Sequence, residues 1–111
     1  MKKNRVKEEY NYIIETICYN ELISRGYQVY IGKTYRGGVD FIATKGEQRI
    51  YIQATYLLAS EQTIEREFGV YRTIPDNYPK YVISMDPISM SRDGVVHLKL
   101  VDFLLKESME R

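Results

Sequence analysis

The chain reads as an α/β domain with element order α-β-β-β-α-β-β and a mixed central sheet. Three observations predict this. An amphipathic helical stretch opens the 111-residue sequence, three β-type runs follow with only tight turns between them, and a second helical stretch precedes two further β-type runs. Strands joined by tight turns pair antiparallel, and a helix between strands implies a right-handed parallel crossover, so both pairings are expected in one sheet.

The opening helix is expected over residues 3–25. Tyr10, Ile13, Ile14, Ile17, Cys18, Glu21 and Leu22 recur at spacings of three and four, one face of an amphipathic helix. Gly26 supplies a left-handed C-terminal cap, and Arg25 sits in the last turn, where a cation suits the helix dipole. YQVYIGK (27–33) is the first strand, with Val29 and Ile31 alternating against Gln28 and Tyr30. Arg36-Gly37-Gly38 is a turn, 39–44 the second strand, Lys45-Gly46-Glu47 the hairpin turn and 49–56 the third strand. Ser60, or Thr63, caps the helical EQTIEREFGVYRTI, with Ile64, Phe68 and Tyr71 on one side. Asp76-Asn77-Tyr78-Pro79 breaks that helix. The fourth strand is 80–85, Ser91-Arg92-Asp93-Gly94 is a turn, 95–100 is the fifth strand, and 101–105 begins a short terminal helix or a strand extension.

This length suits a single domain with a real core. Sixteen basic against fifteen acidic residues leave a net charge of +1, so no bulk field drives nucleic-acid binding. The densest basic patch, Lys2, Lys3, Arg5 and Lys7, reads first as a solvated helix start. Cys18 has no partner cysteine and lies in an apolar stripe, which argues for a reducing compartment and a core role. No signal-type segment and no apolar run near 18 residues is present, so the expectation is the cytoplasm and no membrane. Eleven tyrosines spread through nearly every element, as half-buried rings whose hydroxyls reach water.

The stretch that could carry chemistry is GVDFIATKGEQRIYIQATY (38–56). Pairing across Gly46 would bring Asp40 and Gln53 towards the same end of the sheet. Phosphodiester hydrolysis with Mg²⁺ needs hard oxygen ligands, a placed water and a cation to support developing charge. A lysine two residues after the second ligand would share its face, because strand side chains alternate. That position holds Thr55, and the second ligand is an amide that brings no charge.

The layout resembles the PD-(D/E)xK nuclease superfamily, with the restriction-endonuclease-like core also seen in archaeal Holliday junction resolvases. More closely, ETICYNELISRGYQVYIGK, VDFIA, IYIQATYLLASEQTIEREF and DNYPKYVISMD resemble the C-terminal domain of a large prokaryotic group of predicted AAA+ ATPases. The similarity covers about residues 10 to 105, and the string 77–86 is its most specific part. No P-loop sequence accompanies it. The resemblance implies a central acid at Asp40, Gln53 in the second acid's place, and Glu15 or Glu21 as the helix glutamate. Asp40, Gln53 and Glu15 would be the ligands of a Mg²⁺ ion. Lys33, ahead of Lys45, is the candidate to replace the missing lysine, and Tyr56 could join the site. His97, mid-strand among valines and a leucine, reads as structural.

Three functions are compatible with these residues. The favoured one is a degenerate nuclease-fold domain that binds DNA or a partner without efficient cleavage. The others are an active metal-dependent endonuclease, and a protein-interaction module attached to an ATPase. A homodimer would suit a two-fold DNA target, although nothing in the sequence demands one.

Overall fold

The structure is a computed structural model that describes the backbone of residues 2–34 and 37–109, and the side chains of residues 6–32 and 38–109. Helix α1 (Lys2–Ser24) ends where the sequence places its cap. Gly26 has φ +92°, and the amides of Gly26 and Tyr27 return to the carbonyls of Ile23 (3.0 Å) and Leu22 (3.1 Å). This double bond pattern is the Schellman motif, which closes the helix and turns the chain into the sheet. The buried stripe of α1 is narrower than its periodicity suggests. Ile14, Cys18 and Leu22 are buried, whereas Tyr10 and Ile13 are nearly half exposed.

Strands β1 (Gln28–Thr34), β2 (Gly37–Lys45) and β3 (Gln48–Ala54) form an antiparallel meander. Gly46 begins the two-residue β2–β3 turn at φ +62°, the requirement of a type II′ hairpin. Helix α2 (Glu61–Gly69) starts at Ser60, whose hydroxyl accepts from the Thr63 amide at 3.1 Å. It continues as a 3-10 turn (Val70–Thr73) before β4 (Lys80–Ser84), which runs parallel to β3. Strand β5 (Val96–Lys99) runs parallel to β4, and helix α3 (Leu100–Leu105) follows it directly. The final segment is thus a helix and not an extension of the strand. The sheet is mixed and five-stranded, in the order β1-β2-β3-β4-β5.

The sheet has a core on each face. Ile14, Cys18 and Leu22 of α1, with Phe103 of α3, pack on Phe41, Ile50, Ile52 and Ile83. Phe68 of α2, with Val70 and Tyr71, packs on Val39, Tyr51 and Val82. Strand β3 is central, so its run from Ile50 to Ala54 is buried throughout and lacks a solvated face.

The loop from β4 to β5 is held by His97. Its Nδ1 accepts the Met90 amide (2.9 Å), so the ring proton sits on Nε2, which faces the Ser84 hydroxyl at 2.7 Å. Ser84 in turn donates to Asp86 (2.7 Å), whose same oxygen accepts the Leu58 amide. Within that loop Asp93 (φ +54°) and Gly94 (φ +80°) turn the chain so that Arg92 and Val95 exchange two backbone bonds. Asp-Gly with two positive φ angles is the type I′ pattern.

Candidate functional site at the rim of β2 and β3

A β-bulge sets the position of Asp40. β1 pairs with β2 at Tyr30↔Ile42 and again at Gly32↔Val39, so Ile31 alone faces the two residues Asp40 and Phe41. The extra residue breaks the alternation of β2. Val39 joins the core under α2, while Phe41, two positions on, joins the core under α1. Asp40 lies at the switch between the two faces, at the rim of the sheet.

The β2–β3 ladder ends at Phe41↔Ile52, and the next position is bridged by side chains. The Asp40 amide donates to Gln53 Oε1 at 2.7 Å, and Asp40 Oδ2 accepts from the Ala54 amide at 2.8 Å. Burial raises the Asp40 carboxyl above its usual range, and the Ala54 amide partly offsets this. Glu15, half-buried on α1, is also raised, first by burial and then by the charge of Asp40. The structure therefore brings Asp40 and Gln53 together and places Glu15 within electrostatic reach of them.

Sequence reasoning missed Glu67. This α2 residue is pushed up to about 7 by burial and then by Asp40, with Arg66 pulling weakly the other way at 3.6 Å. Its Oε1 is buried and has no hydrogen-bond partner. A signal for it exists. Glu67 follows Ile64 by three residues and precedes Tyr71 by four, so it falls on the buried side of α2, where a carboxylate is costly. Tyr71 is buried beside it. Burial, then the charges of Asp40 and Glu67, hold that phenol well above its ordinary range. Two glutamates, one from each face of the sheet, are thus raised by the charge of Asp40 at the rim.

Other candidates are occupied elsewhere. Glu21 pairs with Arg25 Nε at 2.7 Å, and that guanidinium also binds the Phe103 and Lys106 carbonyls at the end of α3. Glu21 therefore works in the α1–α3 junction. Lys45 Nζ binds the Arg25 carbonyl at 3.0 Å and lies over the Tyr27 ring. Lys33 pairs through its backbone with Gly38, and its side chain lies outside the described residues. The side chains of Lys2, Lys3 and Arg5 also lie outside them.

Thr55, which the sequence resemblance sets at the lysine position, is 1% exposed. Its hydroxyl faces Asn11 Oδ1 of α1 at 3.3 Å, and the same Asn11 oxygen accepts the Tyr56 amide at 2.7 Å. This side-chain bond takes the Tyr56 amide out of the ladder, and β3 accordingly ends at Ala54 and not at Tyr56. The Tyr56 ring stacks on Tyr10, with centroids 4.7 Å apart.

These donors do not form a ready cage for Mg²⁺. Among the described residues no three His, Cys, Asp or Glu side chains are grouped closely enough to hold a metal ion. Gln53 Oε1, the oxygen that would face the cation, already accepts a backbone amide. The rim is better described as three carboxylates within electrostatic reach of one another, each raised by burial, with Glu67 pushed up to about 7.

The chain is 34% identical over 94 residues to an uncharacterized protein of Haemophilus influenzae. The match covers 84% of this chain but 23% of the relative, so the chain spans about a quarter of that protein's length. No family model matches it. Among the described residues, no helix is long and apolar enough to cross a membrane.

Proposed function

We propose that this chain is a nuclease-fold domain of PD-(D/E)xK type that binds nucleic acid without cutting it efficiently. An N-terminal helix, a three-stranded antiparallel meander and a helical crossover to parallel strands support the restriction-endonuclease-like reading. So does an aspartate aimed by a bulge at the sheet rim. The observation that carries the loss of cleavage is the commitment of the site's oxygens. Asp40 Oδ2 and Gln53 Oε1 each serve a backbone amide, and Thr55 serves the helix where a catalytic ammonium would be needed. With a charge near zero, binding is weak and confined to low salt.

A mobility-shift series with single-stranded, duplex and branched DNA tests this, run beside Mg²⁺- and Mn²⁺-dependent cleavage. The expected result is retarded complexes that dissolve as salt rises, with no metal-dependent products. Cleavage that disappears in Asp40→Ala would establish an active nuclease. A flat mobility series would favour the second reading, a protein-interaction module of a larger ATP-driven assembly. The matched stretch is about a quarter of the Haemophilus influenzae relative, so in that protein it is one part of a longer chain.

A further inference from the structure

We propose that the first turns of α1 and the Tyr10–Tyr56 ring pair form a docking face for single-stranded nucleic acid. This rests on the nucleic-acid reading above and names the form of the ligand and where it lies. Helix α1 has 23 residues, about 35 Å of helix, but none of residues 6–13 is buried, and the first buried side chain among the described residues is Ile14. Counted back from Ile14 by fours and threes, the stripe that faces the sheet continues through Tyr10 and Lys7 to position 3, another lysine. Glu8 and Glu9 stand one or two residues from Lys7 and Tyr10, so they fall off that stripe. The inward face of the helix thus changes from apolar to aromatic and basic where it passes the end of β3.

Tyr10 is built into a fixed pair. Its ring lies against Tyr56 with centroids 4.7 Å apart, yet 45% of the residue is exposed. Tyr56 is pinned from two sides: its amide donates to Asn11 of α1 at 2.7 Å, and its carbonyl accepts the Met85 amide at 2.9 Å. An exposed ring already held in place loses little conformational freedom when a base stacks on it. Only a base without a stacked neighbour on one side can offer that face, which selects an unpaired strand over a duplex. Lys7, exposed and in no ion pair with another described residue, lies one turn before Tyr10, beside the phosphate of such a base. Glu15 stands five residues beyond Tyr10, about 7 Å along the axis, where Asp40 also acts on it. Phosphates are therefore favoured towards Lys7 and repelled at the rim. A strand held this way lies off the carboxylates, in keeping with binding that does not lead to efficient cleavage.

The test is fluorescence anisotropy of the full chain at low salt with a labelled DNA single strand, the same sequence in duplex form, and an abasic strand of equal length. The parent is expected to bind the single strand more tightly than the duplex. Tyr10→Ala should weaken binding of the single strand about tenfold and leave the abasic strand unchanged, while Tyr10→Phe, which keeps the ring, binds as the parent does. Lys7→Gln, an exposed change that leaves the ring pair in place, should lower the salt slope by about 0.7, the worth of one phosphate contact. The inference is overturned, with nucleic-acid binding left standing, if the parent binds DNA but Tyr10→Ala loses nothing, or loses as much on the abasic strand. A duplex bound as tightly as the single strand, or a Lys7→Gln protein with the parent's salt slope, also overturns it. If the parent binds none of the three, both readings fall.

Discussion

Asp40 and Gln53 close the open end of the β2–β3 ladder for each other: the amide of the first binds the side chain of the second at 2.7 Å, and the carboxylate of the first binds the next amide along β3 at 2.8 Å. Two residues that the sequence resemblance assigns to a metal site therefore act as substitutes for backbone pairing at a bulge. Conserving the strand geometry and releasing oxygens for a cation are competing demands on the same atoms.

That competition makes Asp40 separable by substitution. Asp40→Asn keeps an oxygen for the Ala54 amide and removes the charge that raises Glu15 and Glu67. Its stability at neutral pH is expected to match or exceed that of the parent. Asp40→Ala leaves the Ala54 amide without an acceptor in a buried strand, a cost of about 1–3 kcal/mol. Urea unfolding reads both. Equal losses in the two variants would show that the Ala54 bond does not hold the rim.

Glu67 carries a pH signature of definite sign. Its folded pKa is raised from 4.5 to about 7. The folded state therefore binds more protons than the unfolded chain between those values. Its contribution is full below the unfolded pKa and lost as pH rises through the folded one. A shift of this size corresponds to about 3 kcal/mol. Glu67→Gln keeps the shape without the ionisation, and it should remove most of the fall in stability from pH 4.5 to 7.5. A variant with the parent's slope would place that proton on another group.

His97 gives the opposite sign. Burial lowers its pKa from 6.5, so its contribution is full above that value and declines as pH falls. Because Nδ1 accepts the Met90 amide, protonation would set two N–H groups against each other. Imidazole ¹⁵N shifts at pH 6.5 should report a neutral ring protonated at Nε2. An imidazolium, or the Nδ1–H tautomer, would contradict the bond chain from His97 through Ser84 to Asp86.

Much of this fold is legible in the sequence because its punctuation is local. Gly26, Gly46 and the Asp93-Gly94 pair each need a positive φ that their own residue types supply, and each sits in a turn read from the chain. The stretch around Asp40 is not legible in that way. Its bulge depends on the register with β1, and the one mark of the slip is on that partner strand, Gly32, where a Cβ would meet the Ile42 side chain at 2.7 Å. Glu21 and Glu67 show the limit of reading a stripe. Both fall among apolar neighbours, but Glu21 finds Arg25 one turn on, whereas Glu67 has only Arg66 at 3.6 Å and one oxygen without a partner. Glu21 has a cation at the i, i+4 spacing, whereas Glu67 has no basic residue three or four positions away.

Placing a lysine at position 55 tests whether the proposed site is one residue short of catalysis. Thr55 is 1% exposed and packs against α1 through Asn11. A lysine there would bury four methylenes in a filled space and bring an ammonium with no carboxylate bonded to that position, a cost of about 3 kcal/mol or more. Thr55→Lys is therefore expected to lower the unfolding midpoint and to yield no Mg²⁺-dependent cleavage. Thr55→Val, which keeps the volume and removes only the hydroxyl, should cost about 1 kcal/mol and isolates the bond to Asn11. A folded Thr55→Lys protein that cuts DNA, with the activity abolished by adding Asp40→Ala, would mean that the rim oxygens can leave their backbone partners for a cation. The reading of a non-cleaving domain would then fail.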